Sequence, residues 1–124
     1  MRISVIAVAA AALILAGCSD RSSTVRAAAV VTGGDPLRGE AAISRFGCGS
    51  CHTVAGIRSA HGLVGPPLTG IRDRMYVAGM LPNSPGNLMH WIRDPKSVNP
   101  GTAMPSLGLS ERDAADIAAY LYSK

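Results

Sequence analysis

Five consecutive residues, Cys48-Gly49-Ser50-Cys51-His52, constrain this chain more than anything else in it. C-x-x-C-H is the attachment run for c-type haem. Two residues between the thiols let both sulfurs reach the two vinyl groups of one porphyrin as thioethers. A His directly after the second Cys can then place an imidazole nitrogen on the iron. The rival readings are weaker. A redox-active C-x-x-C accompanies a βαβ pattern, which is missing here. A zinc site wants four ligands, and the chain adds only His61 and His90, at unhelpful spacings. A structural disulfide stays open in an exported protein. The adjoining His, taken with the export signal described below, favours haem.

The supply of core side chains points the same way. The chain has 124 residues, enough for one domain. Hydrophobic residues make up 48%, but aromatics only 4%, with one Trp and one Phe. Small domains bury proportionally little surface and often need a metal, disulfide or cofactor. A buried haem would supply the missing apolar bulk.

Residues 1–17 read as a signal peptide. Met1-Arg2 gives a minimal positive start, and Ile3 to Leu15 is apolar apart from Ser4. That stretch is short for a membrane span. Leu15-Ala16-Gly17-Cys18 resembles a bacterial lipoprotein cleavage box, in which the Cys becomes the lipid-modified first residue. The alternatives are an uncleaved anchor or ordinary cleavage near Gly17. Lipidation would place the protein in the bacterial cell envelope, anchored to a membrane on the periplasmic side. Residues 18–33 then form the lipidated Cys and a flexible tether, small and polar without a sustained period. A short helix over the Ala run is the alternative. Without Arg2 the net charge falls to +3. No basic stripe with interleaved aromatics is present, so there is no nucleic-acid signal.

The folded part, 34–124, reads as all-α. Asp35 can cap a helix with Pro36 at its first position. Gly39, Ala42, Ile43 and Phe46 follow on one face, and Gly47 closes it. A second helix fits Pro85 to Asp94, capped by Ser84 and ended by Pro95. A third runs from Glu111 to about Ser123. There Ser110 and Asp113 make a capping-box pattern, and Ala114, Ile117, Ala118 and Leu121 an apolar stripe. A short helix around Leu68 to Met75 fits the intervening loops. Alternating strand patterns are absent.

An electron-carrying haem iron needs a ligand on its second face. Met75, Met80, Met89, Met104, His61 and His90 are the candidates. Met89 falls inside the second helix, where core packing is an equal reading. Met104 sits in the non-helical run Pro100-Gly101-Thr102-Ala103-Met104-Pro105. A lone loop Met is more often packing than a ligand, and spacing leaves the choice open.

From Gly34 to Lys124 the chain resembles the class I cytochromes c. Four blocks carry the resemblance in order: a capped helix into GCGSCH, the loop Gly65-Pro66-Pro67-Leu68, the helix NLMHWIRDP, and PGTAMP before a terminal helix. The run LPNSPGNLMHWIRDPKSVNPGTAMP, Leu81 to Pro105, looks most like the cytochrome domain fused to subunit II of haem–copper oxidases. The copper-binding domain of that subunit is absent from this sequence. The resemblance implies a small fold of three main helices and loops around one covalent haem c. It implies His52 and Met104 as axial ligands, with the Pro66 carbonyl accepting a hydrogen bond from the other nitrogen of His52. Arg74, and less directly Arg72, match positions near a haem propionate, and Trp91 an aromatic against the haem. Gly39 and Tyr120 fall where the first and last helices cross. One extra residue separates Gly39 from Cys48 relative to mitochondrial relatives.

The expected function is single-electron transfer, not catalysis, in a membrane-associated respiratory or related redox chain. The partners would be redox proteins, a terminal oxidase among the candidates. A five-coordinate haem sensor or peroxidase is one alternative, and a fixed haem subunit of a larger oxidoreductase is another. Lys96 and Lys124 are the chain's two lysines, so a ring of positive charge around a haem edge is not expected.

Overall fold

The computed structural model describes residues 21–124. The expected signal peptide, Cys18 and the start of the expected tether lie outside the described residues. Residues 21–32, called α1, are helical. This differs from the flexible tether and agrees with the helix over the Ala run. Ala favours helix without any hydrophobic period, and here tertiary packing completes the case. Ala28 is 4% and Thr32 6% exposed. Thr32 Oγ1 donates to the Ala28 carbonyl at 2.7 Å and accepts the Gly34 N–H at 3.2 Å. Gly33 ends α1 in the left-handed region, at φ 70°.

Helix α2 is Pro36–Arg45, and its start is as the sequence suggests. Asp35 accepts from the Leu37 and Arg38 N–H groups, with Pro36 in the first turn. Gly47 then turns the chain at φ 69° into a 3-10 turn, Cys48–Ser50. The expected helix near Leu68 to Met75 is reduced to a 3-10 turn over Ile71–Asp73. After it comes a small antiparallel hairpin, β1 (Tyr76–Val77) and β2 (Leu81–Pro82), with Tyr76 opposite Pro82 and Val77 opposite Leu81. Two-residue strands are too short to show alternation in sequence. Helix α3 is Pro85–Arg93, capped by the Ser84 side chain on the Asn87 N–H. Asp94 ends it and caps the one-turn helix α4, Pro95–Val98. Helix α5, Glu111–Tyr122, opens on the full Ser110–Asp113 capping box.

Helix α2 packs chiefly on α5, and α3 packs on α5 from another side. The core they share includes Ile43, Leu88, Ile92, Ile117, Tyr120 and Leu121. Gly39 permits the first crossing. A Cβ there would meet the Asp116 carbonyl oxygen at 2.0 Å and Tyr120 Cβ at 2.9 Å. The extra residue between Gly39 and Cys48 therefore leaves the Gly39–Tyr120 crossing in place. The architecture is all-α. Among the described residues no helix is long and apolar enough to cross a membrane.

Candidate functional site

The motif stands on a tight turn directly after α2. The Cys51 and His52 N–H groups both donate to the Cys48 carbonyl, at 3.3 and 2.9 Å. This brings the two cysteines and His52 around one turn of backbone. Both cysteines are half-buried, and neither forms a disulfide. Burial pushes the Cys48 thiol up from its ordinary value. Among the described residues no group of three or more His, Cys, Asp or Glu could hold a metal ion by itself.

His52 is oriented from the next loop. Its Nδ1 lies 2.7 Å from the Pro66 carbonyl oxygen. A carbonyl only accepts, so Nδ1 carries the proton and Nε2 is the ring nitrogen left to bind a metal. That loop is strapped to the motif at several points. The Gly62 N–H donates to the Gly49 carbonyl at 3.0 Å and the Gly65 N–H to the Cys51 carbonyl at 2.8 Å. The Leu68 N–H donates to the Thr53 carbonyl, also at 2.8 Å. Gly65 must be Gly because a Cβ would stand 2.2 Å from His52 Cε1.

The other expected site residues divide in two. Arg74 joins the motif through this loop, its Nη2 donating to the Pro67 and Thr69 carbonyls. These bonds leave other N–H donors of the guanidinium for a carboxylate. Arg72 pairs with Asp73 at 3.4 Å, and both are exposed. Trp91 and Met104 stand on separate segments. Trp91, on α3, is partly buried against the core. Met104 is half-buried in a loop where its N–H donates to Thr102 Oγ1 at 3.1 Å. Lys96 Nζ donates to the Thr102 carbonyl of the same loop. Of the rival ligands, Met75 is 81% and Met80 54% exposed, while Met89 packs against the core. His61 is exposed, and His90 Nε2 lies 2.9 Å from Ser97 Oγ.

These residues fit a haem. Two thiols sit one turn apart, an imidazole behind them has Nε2 available, and a Met lies in a constrained loop. Ile57, Leu68, Met89, Trp91 and Leu107 rest on the core yet are only partly buried, apolar surface of the kind a porphyrin covers. Nothing in the sequence pattern singles out Asn83, which links this loop region to α5, or Asp116, a buried carboxylate on α5 that binds Arg38. Their partners lie far away in sequence.

Fold and motif together define a class, the c-type haem proteins that transfer electrons. The model of the cytochrome c family matches residues 37–124. The chain belongs to the cytochrome c family, and its cofactor is one covalently bound haem c. It is 42% identical over 77 residues to cytochrome c oxidase subunit 2 of Alkalihalophilus pseudofirmus, covering 61% of this chain and 22% of that protein. It is 36% identical over 94 residues to the same subunit of Bacillus sp. strain PS3, covering 72% and 26%. It is 34% identical over 110 residues to cytochrome c-554 of Methylosinus trichosporium, covering 78% and 80%. The chain thus spans about a quarter of the two oxidase subunits. No solved structure matches it significantly.

Proposed function

We propose that this chain carries single electrons in a bacterial membrane-associated redox chain, with His52 and Met104 as the axial ligands of a haem bound through Cys48 and Cys51. The observation that carries the reading is the 2.7 Å contact between His52 Nδ1 and the Pro66 carbonyl. It fixes the tautomer with Nε2 free to bind iron. It also raises the donor strength of the ring, the usual role of such a partner. When bound, the haem supplies a one-electron Fe(II)/Fe(III) couple. The protein's residues hold it and set its potential. An imidazole opposite a thioether favours the ferrous state. With both positions filled, no coordination site is open to oxygen or peroxide, which disfavours a sensor or peroxidase. Trp91 would pack against the haem, and Arg74 would offer a propionate a donor that its loop carbonyls do not use.

Lipid on Cys18 would hold the protein on the periplasmic side of a membrane. The likeness to two oxidase subunits favours a terminal oxidase as a partner. It equally favours a second reading, a haem subunit fixed in such a complex. Co-purification from membranes separates the two.

The test of the site is spectroscopic. Denatured wild type should keep its haem, and Cys48→Ala or Cys51→Ala should cripple attachment. Met104→Ala should lose the ferric sulfur-to-iron charge-transfer band and bind carbon monoxide when reduced. Met75→Leu, Met80→Leu and Met89→Leu should keep the band. Loss of the band in one of those three, with retention in Met104→Ala, overturns the ligand assignment.

A further inference from the structure

Pro66 and Pro67 have no backbone N–H. The pair therefore cannot be anchored by its own amides, only by donors that reach its carbonyls. Two do so. His52 bonds the Pro66 oxygen and Arg74 bonds the Pro67 oxygen, one peptide further on. The amides on either side, Gly65 and Leu68, hold the ends of the pair, and the geometry of the His52 contact depends in addition on what holds Arg74.

The Asn83 side chain holds it. Its Nδ2 donates to the Ile71 carbonyl at 2.7 Å and to the Arg74 carbonyl at 2.8 Å. These are the first residue of the 3-10 turn Ile71–Asp73 and the residue that caps it. One amide therefore clamps both ends of the turn that carries Arg74. Asn83 Oδ1 in turn accepts from Tyr122 Oη at 2.7 Å. Tyr122 is on α5 and 6% exposed, so the amide is pinned to a buried residue of the core. Its orientation is determined as well, since a phenol donating to Oδ1 leaves Nδ2 for the two carbonyls.

We propose that Asn83, fixed by Tyr122, is a positioning residue for the axial His52, acting through Arg74 and the Pro66-Pro67 carbonyls to set the strength of the His52 Nδ1–H bond and hence the haem potential. The inference rests on the His52 ligation proposed above. The sign follows from the chemistry. A well-held Pro66 carbonyl makes the imidazole a stronger donor, which stabilises ferric iron. Loosening the carbonyl should weaken the donor and raise the potential.

The test uses the full-length holoprotein. Asn83→Leu keeps the bulk and changes no charge. Its redox equilibrium with a reference couple should move about three- to tenfold toward reduced haem, tenfold being about 59 mV for one electron. The His52 Nδ1 proton should exchange with solvent faster, while haem content stays at the wild-type level. Tyr122→Phe should do the same to a smaller degree. Combined with Arg74→Gln, Asn83→Leu should add less than its own single effect, because both act through one chain of bonds. An Asn83→Leu protein with wild-type potential and wild-type proton exchange overturns the proposal, and so does strict additivity with Arg74→Gln. If Asn83→Leu yields no holoprotein, an unchanged potential in Tyr122→Phe overturns it. A wild type whose spectrum lacks His ligation overturns the ligation reading and this inference together, before any variant is compared.

Discussion

Gly39 on α2 lies against the carbonyl of Asp116 on α5, so close that a Cβ would stand 2.0 Å from that oxygen. Backbone cannot yield as a flexible side chain would, so the helices must part. Gly39→Ala should cost about 3 kcal/mol, the upper range for overpacking, and lower the melting temperature of the holoprotein. Gly86, in the first turn of α3, has nothing within 4 Å of its Cβ position. Gly86→Ala should therefore stabilise by about 0.5 kcal/mol through helix propensity. Thermal unfolding of the two variants side by side checks both signs.

The same crossing carries an acid-sensitive lock. Asp116 is 4% exposed and accepts from the Asp35 N–H at 2.7 Å and from Arg38 Nε and Nη2 at 2.8 and 2.9 Å. Burial alone would raise its carboxyl, but the bonds from Arg38 and the Asp35 N–H outweigh this and hold it below the usual range. A lowered folded value means stability that is present above the ordinary Asp value of about 3.9 and lost as pH falls through the folded one. Asp116→Ala should cost about 2 kcal/mol at neutral pH, from the Asp35 amide left without its acceptor and the two lost bonds from Arg38. It should also show a shallower loss of stability below pH about 4. Denaturant titrations at pH 7 and pH 3 on both proteins measure the difference.

Local signals made much of this fold legible. The caps at Asp35, Ser84 and Ser110 bond to amides within three residues, so each helix start shows in sequence. The haem motif is local in the same sense, a run of five residues, whereas the Pro66 contact, 14 residues from His52, was legible only through the resemblance to the class I cytochromes c. What stayed hidden depends on distant partners. Asn83 reaches Tyr122, 39 residues away, and Asp116 reaches Arg38, 78 residues away. In sequence each is an ordinary polar residue. Helix α1 was hidden because its buried residues are small. Ala28 and Thr32 make no hydrophobic stripe, and only their burial shows that this segment packs.

Gly65 should be the most sensitive position around His52. Any Cβ there would press on the imidazole ring, 2.2 Å from Cε1 and 2.6 Å from Nδ1. Gly65→Ala should displace the ring and break the Pro66 contact. The expected product binds carbon monoxide readily when reduced and has lost the slowly exchanging His52 Nδ1 proton. An unchanged low-spin spectrum with that proton still protected would show that the loop moves instead of the ring.

The Met104 loop has its own fastener. Lys96 Nζ donates to the Thr102 carbonyl, and at 3.4 Å to the Pro100 carbonyl. Thr102 Oγ1 accepts the Met104 N–H. The other lysine, Lys124, lies 4.7 Å over the Tyr120 ring, so both lysines are engaged within the fold. Lys96→Met keeps the aliphatic stem and removes the donor. It should loosen the sulfur ligand and speed carbon monoxide binding about tenfold, equivalent to about 1.4 kcal/mol of barrier. Stopped-flow mixing of the reduced variant with carbon monoxide measures it directly.

Helix α1 ought to behave as part of the domain. Thr24, Ala27, Ala28 and Val31 share a cleft of about 330 Å³ with Arg72, Asn83, Pro85 and Tyr122. The helix thus borders the Tyr122–Asn83 pair on its outer side. Its turn into α2 is fixed at Gly34, where a Cβ would stand 2.0 Å from the Ala115 carbonyl. A free tether could be removed without cost. A protein beginning at Gly34 should instead lose about 1–2 kcal/mol relative to one beginning at Arg21, given the burial of Ala28 and the Thr32 bonds. It should also exchange backbone amides near Asn83 and Tyr122 faster, because removing α1 opens that side to water. Equal stability and equal exchange in the two proteins would mean that α1 contributes nothing to the domain.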